Sequence, residues 1–249
     1  MARFIKSLLR AFAVVPLLLP TYAGLAYVVV PAAWSRYERR RPSSDALHTT
    51  YTRERIPADP LNIALVGTRA EVVAAMCAAG WVLADPISLR TGLRDAGSIL
   101  FDRPYRSAPV STHYLWNRPQ DLAFEQLVGP SPRRRHHVRL WRAGAVGSDG
   151  RPLWIGAASY DRSLGLSRFT GEVMHHIDRR VDVEREKLIS DLSAAGRLER
   201  VQRAGRFRPA GRGVNGGGDA YETDGSLLLG ELTRSRVGSL RPERGPGSD

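Results

Sequence analysis

The sequence has little cysteine and little lysine. Cys77 is the single cysteine among 249 residues, which excludes an intrachain disulfide and leaves the redox compartment open. Only Lys6 and Lys187 among the 37 basic residues are lysines. The chain also has no His-Glu-x-x-His, Cys-x-x-Cys or Walker pattern, the signatures of common zinc, redox and nucleotide sites. No reaction can therefore be assigned from a motif, and we predict no catalytic residue.

The net charge of +12 is concentrated at the ends of the chain. Residues 1–41 carry seven basic groups and one acidic group, whereas residues 42–196 carry 20 basic and 17 acidic groups. A nucleic-acid-binding domain usually presents a basic face on its folded body. The balanced body argues against nucleic acid as a partner.

One long uncharged run stands near the start of the chain. Residues 11–34 contain no charged side chain, and a bilayer core needs about 20 such residues in a helix. We predict a single-pass membrane location, with a basic tail at 1–10 and a transmembrane anchor at 11–34. A cleaved signal peptide is the alternative, but the apolar run continues through Val30. The charges that flank this run give conflicting indications of its orientation, so the sequence does not decide on which side of the membrane the soluble domain lies.

The rest of the chain predicts one domain. A linker at 35–56 leads to an α+β domain at 57–236, and a Pro/Gly-rich tail at 237–249 is predicted to be disordered. We predict a largely antiparallel sheet of six or seven strands, with two or three helices on one face. Residues 108–116 and 121–128 are predicted to form one hairpin. Cys77 is expected in the core on a helix.

A second predicted hairpin, 133–161, carries the candidate site. Apolar and polar residues alternate from His136 to Trp141, and Asp149-Gly150 is a preferred hairpin turn. Neighbouring residues of a strand point to opposite faces, so at most one histidine of a doublet can enter a given cleft.

Four of the six histidines form two doublets, which we expect to lie close together. The leading hypothesis is a membrane-tethered accessory domain that binds an anionic ligand, either a lipid headgroup or a phosphate ester, beside the membrane or a membrane-protein partner. The predicted ligand-binding residues are Arg135, His136, His137, Arg139, His175 and His176.

Two other functions stay open. A metal-assisted hydrolase would use one histidine of each doublet and an aspartate, drawn from His137, His175, His176, Asp161 and Asp178. A divalent metal is the cofactor that this alternative needs, and no other cofactor is predicted. The third alternative is a protein-interaction module without a ligand site.

Several segments together resemble a known family. They are LNIALVG (61–67), GWVLADP (80–86), APVS (108–111), QDLAFEQ (120–126), RRHHVRLW (134–141), WIGAASYD (154–161), and HHID with DVER (175–178 and 182–185). Over about residues 57–235 the chain resembles the LssY C-terminal domain family, bacterial domains of unknown function that often follow membrane modules. The resemblance implies kinship and no established chemistry.

Overall fold

The computed structural model describes residues 17–39, 48–101, 103–130 and 133–234. The predicted basic tail at 1–10 and the predicted tail at 237–249 lie outside these ranges. The N-terminal helix, α1, includes a π-helical stretch at Leu25–Val29 and ends with the α-helical segment Val30–Arg39. Its 21 residues from Leu17 to Tyr37 are long and apolar enough to cross a membrane, and a signal sequence would share these properties.

Three more helices and fourteen strands follow in the described residues. The helices are α2 (Arg69–Ala78), α3 (Leu89–Leu100) and α4 (Val181–Ala194). The strands are β1 (Thr49–Tyr51), β2 (Pro57–Pro60), β3 (Ile63–Val66), β4 (Val82–Leu83), β5 (Tyr114–Leu115), β6 (Arg118–Pro119), β7 (Leu122–Leu127), β8 (Arg135–Val146), β9 (Pro152–Leu166), β10 (Val173–Ile177), β11 (Leu198–Arg206), β12 (Gly211–Val214), β13 (Ala220–Thr223) and β14 (Ser226–Leu232).

The largest sheet has eight strands and carries the long β8–β9 hairpin near its centre. Its order is β11-β14-β3-β9-β8-β7-β4, and β10 pairs with the far end of β9. Only β14 and β3 are parallel within it; its other pairs are antiparallel. A four-stranded sheet (β2-β1-β5-β6) and a two-stranded sheet (β12-β13) complete the described strands. The α+β class is confirmed, and the predicted strand number is approximate.

The predicted pairing of 108–116 with 121–128 is wrong. β7 pairs with β8 and β4 in the large sheet, whereas β5 pairs with β6 in the small one. The turn between β5 and β6 is Trp116-Asn117, and both residues have positive φ (50° and 64°). Two left-handed residues suit a tight two-residue turn, which closes this hairpin earlier than predicted.

One face of the large sheet carries the main apolar core. Phe124, Val138, Leu140 and Trp154 are buried there against residues of α2 and α4 such as Met76 and Leu188. Thr68 and Glu71 have the spacing of a capping box, and such a box starts α2: the Glu71 amide donates to the Thr68 hydroxyl, and the Thr68 amide donates to the Glu71 carboxylate. Cys77 is exposed, which corrects its predicted core position, since α2 turns that side chain away from the sheet.

The opposite face is covered by the four-stranded sheet. Leu115 of β5 packs with Leu61, Trp141 and Ala157 in a small second cluster. Next to this cluster the same face becomes strongly polar. Every second side chain of β8 points to this face. The row begins at Trp141 in the apolar cluster and continues through Arg139 and His137 to Arg135, which belong to a buried ionic network.

Candidate functional site

The site is built on the row of polar side chains that β8 presents. Arg135, His137 and Arg139 point to the same face, and Asp161 lies opposite Arg135 on β9. Asp59, on β2 of the small sheet, approaches this row from the covering layer. The five side chains are at most 4% exposed. They therefore form a buried network rather than a solvated surface patch.

Each arginine is paired with a carboxylate. Arg135 donates from Nε to Asp161 Oδ2 (3.0 Å) and from Nη1 to Glu125 Oε2 (3.0 Å). Arg139 donates from Nη1 to Asp59 Oδ2 (2.6 Å) and from Nε to the Ser111 carbonyl (2.9 Å). These bonds fix both guanidinium groups. A ligand would meet cations whose positions are already set.

The imidazole of His137 lies between the two aspartates. Its Nε2 is 3.4 Å from Asp59 Oδ2, and its Nδ1 is 3.3 Å from Asp161 Oδ2, although Nδ1 lies outside hydrogen-bonding geometry. Burial and the positive charge of Arg139 lower the pKa of His137, but the carboxylates of Asp161 and Asp59 together outweigh them, and the pKa is raised. Carboxylates at both ring nitrogens favour the imidazolium form.

Both aspartates are held in their charged form. Burial opposes ionisation of Asp59, but Arg139 and His137 keep its pKa below the usual range. Burial likewise opposes ionisation of Asp161, and His137, His175 and Arg135 keep its pKa low. The network thus contains two fixed negative charges.

Two further buried groups are held neutral near pH 7. Burial raises the pKa of Glu125 to about 8, and the nearby Arg135 offsets only part of that shift. Burial, with the positive charge of Arg139, lowers the pKa of His113 to about 3. His113 lies 3.7 Å from Asp59 Oδ2 and 3.2 Å from the Thr50 hydroxyl. The floor of the site therefore combines the guanidinium groups of Arg135 and Arg139 with the carboxylates of Asp59 and Asp161, and the His137 ring lies between the two carboxylates.

A cavity of about 300 Å³ opens above this network. Its floor includes the five network residues and His113, and its walls come from α1, the β9–β10 connection and the 215–217 loop. His175 on β10 lines it, and so does Tyr27 on α1. One histidine from each doublet, His137 and His175, therefore faces the same cavity, and both interact with Asp161.

The comparisons with known proteins identify a family. The LssY C-terminus model matches residues 38–227. The chain belongs to the LssY C-terminus family. No curated protein and no solved structure matches it. The chemistry of this LssY C-terminus domain must therefore be argued from its own geometry.

Three of the predicted site residues in this LssY C-terminus domain lie away from the cavity. His136 is on the opposite face of β8, with its Nδ1 2.6 Å from Glu184 Oε2. His176 Nδ1 is 2.8 Å from Asp219 Oδ1. Asp178 accepts a bond from the amide of Arg180 beyond the end of β10. Alternation along the strands explains why each doublet contributes only one ring to the cavity.

Three groups of the network were not among the predicted site residues. Asp59 lies in a segment next to the predicted linker, and only the pairing of β2 with β1 brings it to the site. Glu125 and His113 are contributed by β7 and by the loop before β5. Alternation along β7 puts Glu125 on the face opposite Phe124. No sequence signal connected Asp59 to β8.

The arrangement has consequences for the metal alternative. Among residues 17–39, 48–101, 103–130 and 133–234, no group of three or more His, Cys, Asp or Glu side chains is arranged to hold a metal. Asp59 Oδ2 and Asp161 Oδ2 each receive a guanidinium N–H. A metal at either oxygen would have to compete with that bond.

Proposed function

We propose that this domain binds a phosphate-bearing or similar anionic ligand in the cavity and that α1 tethers it to a membrane. The observation that carries the proposal is the set of basic side chains at the cavity floor. Arg135, His137 and Arg139 all line the cavity and are at most 4% exposed, so two guanidinium groups and an imidazole face it from a buried setting. In a buried setting such a charge attracts an anion more strongly than it would in water.

The rim of the cavity is compatible with this charge. Arg53 and Glu54 both line it and offset each other. Glu172 also lines it, and burial raises the pKa of that carboxyl. His175 stands on the wall facing the network and can donate to an oxyanion through a ring N–H. We therefore assign ligand contact chiefly to His175, with Arg139 and His137 behind it.

The test compares two neighbouring histidines. Inorganic phosphate is titrated calorimetrically into the full chain in lipid nanodiscs, for the wild type, His175→Ala and the matched control His176→Ala. A hydrogen bond to a charged group is worth about 1.5–3 kcal/mol, so we expect His175→Ala to weaken binding by about 10- to 100-fold. His176→Ala should bind as the wild type does. Equal affinities for all three proteins, or no binding, would contradict the proposal.

A metal-assisted hydrolase is the second candidate, and one observation favours it. His137, His175 and Asp161 line the same cavity, and zinc accepts these ligand types, although among the described residues the three are not arranged around a metal position. Metal analysis of the purified chain, followed by zinc titration of the wild type and His175→Ala, tests this candidate. Stoichiometric metal that His175→Ala loses would favour the hydrolase over the anion-binding domain.

A further inference from the structure

The connection between β9 and β10 packs along α1. β9 extends past its last pair with β8 at Asp161, and beyond that point it pairs with β10 alone. We call residues 166–173, where this hairpin turns, the β9–β10 tip. The Tyr22 hydroxyl donates to the Gly171 carbonyl (2.6 Å), and the Val173 amide donates to the Tyr27 hydroxyl (3.0 Å).

The contact runs along a long part of the helix. Besides the two tyrosines, Trp34 stacks on Phe169 with ring centroids 4.5 Å apart. At 1.5 Å rise per residue, Tyr22 and Trp34 are about 18 Å apart along the axis, whereas a bilayer core is about 30 Å thick. If α1 crosses a bilayer over Leu17–Tyr37, the β9–β10 tip cannot remain entirely outside it.

The β9–β10 tip exposes three large apolar side chains beside α1, with the exposed Arg168 among them. Leu166, Phe169 and Val173 are 56%, 37% and 50% exposed. The neighbouring helix exposes several leucines and valines, among them Val28 at 65%. An exposed apolar patch of this kind typically marks a membrane or protein contact. Its continuity with a helix suited to cross a membrane identifies lipid as the occupant.

The backbone N–H groups of the β9–β10 tip have acceptors inside the protein. From 167 to 173 each of the seven backbone amides donates a hydrogen bond inside the protein. The acceptors are the carbonyls of Ser167, Glu172 and Gly217 and the hydroxyls of Ser167, Thr170 and Tyr27. An irregular loop can enter a bilayer only when its polar groups are satisfied internally. An ordinary exposed turn leaves some of these amides to water.

We infer that the β9–β10 tip is inserted in the membrane beside α1, so that the cavity next to Tyr27 opens towards the lipid and takes its anion from a lipid headgroup. Ser167, Thr170 and Val173 of the tip, with Tyr27 of α1, also line the cavity, so the inserted surface and the cavity mouth are continuous. This inference rests on the proposed function, and it adds both the source of the ligand and its direction of entry.

Depth measurements test the insertion separately from the tether. Single cysteines replace Val28, Leu166 or Val146 in a Cys77→Ser background, and each carries an environment-sensitive dye in vesicles that contain lipid-borne quenchers. Val146 is a matched control, because it is 62% exposed and lies at the other end of the β8–β9 hairpin. We expect quenching at Val28 and Leu166, and none at Val146.

The other outcomes distinguish the insertion of the β9–β10 tip from the membrane tether formed by α1. Quenching at Val28 without quenching at Leu166 overturns the insertion and leaves the tether intact. A water-exposed dye at Val28 overturns the membrane part of the proposed function as well. Uniform quenching at all three positions also overturns the inference, because it would not be specific to the tip.

The source of the ligand needs a second measurement. Leu166→Asp places a charge in the β9–β10 tip without altering a cavity-lining residue, and Val146→Asp is its control. In nanodiscs we expect Leu166→Asp to reduce binding of an anionic phospholipid at least tenfold and to leave binding of inorganic phosphate unchanged. An equal loss for both ligands, or no loss for the lipid, overturns lateral entry.

Discussion

Replacing Asp161 with asparagine removes one negative charge from the buried network and preserves the shape of the side chain. In the native protein Asp161 Oδ2 accepts from Arg135 Nε at 3.0 Å and lies 3.3 Å from His137 Nδ1. Asp161→Asn leaves the buried side chains of Arg135 and His137 with less negative charge beside them. Breaking a buried ion pair from one side typically costs about 3–5 kcal/mol, a large part of the 5–15 kcal/mol that stabilises a domain.

Asp178→Asn is the matched control, because it makes the same chemical change near the end of the neighbouring strand. Asp178 is 37% exposed, and its pair with Arg180 is 3.9 Å long, so we expect a cost of about 1 kcal/mol or less. Urea unfolding of the full chain in detergent, followed by tryptophan fluorescence, gives both values. Similar unfolding midpoints for the two variants at pH 7 would refute the role assigned to Asp161.

The pH dependence gives a second check on the same variant. The pKa of Asp161 is held below its usual range, so its contribution is fully present above the unfolded-state pKa of about 3.9. It is lost as the pH falls further towards the folded-state pKa. The difference in the free energy of unfolding between the wild type and Asp161→Asn should therefore narrow below about pH 4. A difference that stays constant down to pH 3 would indicate a steric effect of the amide.

Further predictions concern the pH, the sheet and the capping box. The pKa of Glu125 is raised to about 8 from an ordinary 4.5, so its contribution to stability is present below pH 4.5 and is lost as the pH rises to 8. In thermal melts between pH 4.5 and pH 8, the wild type should therefore lose stability relative to Glu125→Gln. Sulfate, whose charge does not change between pH 7 and pH 9, should bind more weakly at pH 9 than at pH 7 in calorimetry, because Glu125 ionises over that range. Gly156→Ala places a Cβ 2.5 Å from the Arg139 carbonyl oxygen and should cost about 1–3 kcal/mol in urea unfolding, whereas Gly144→Ala, with nothing within 4 Å, should be tolerated. Thr68→Ala should lower stability by about 1 kcal/mol in the same assay.

Local patterns in the sequence predicted local features well. Alternation along 136–141 assigned the two faces of β8, and the Thr68-Glu71 spacing identified the start of α2. These features depend on neighbouring residues only, so periodicity and capping chemistry determine them. The orientation of the histidine doublets is also a local feature, since adjacent residues of a strand point to opposite faces.

Features that depend on distant pairing could not be predicted in this way. Asp59 contacts Arg139, which is 80 positions away in the sequence, and the strand that carries Asp59 contains two prolines. On β10 a bulge after His176 shifts the register with β9, and no pattern within five residues indicates it. β5 and β6 have two residues each, too few to show a period.

The buried network is difficult to explain as a stabilising device. The other face of the sheet already has an apolar core around Phe124 and Trp154, and replacing buried ion pairs with apolar side chains is often neutral or stabilising. A protein-interaction module without a ligand site would not need cations fixed beneath a cavity. A metal site would need the Oδ2 atoms that Arg135 and Arg139 occupy. Anion binding makes use of the features that these alternatives leave without a role: the paired arginines, the imidazolium between two aspartates, and the cavity beside α1.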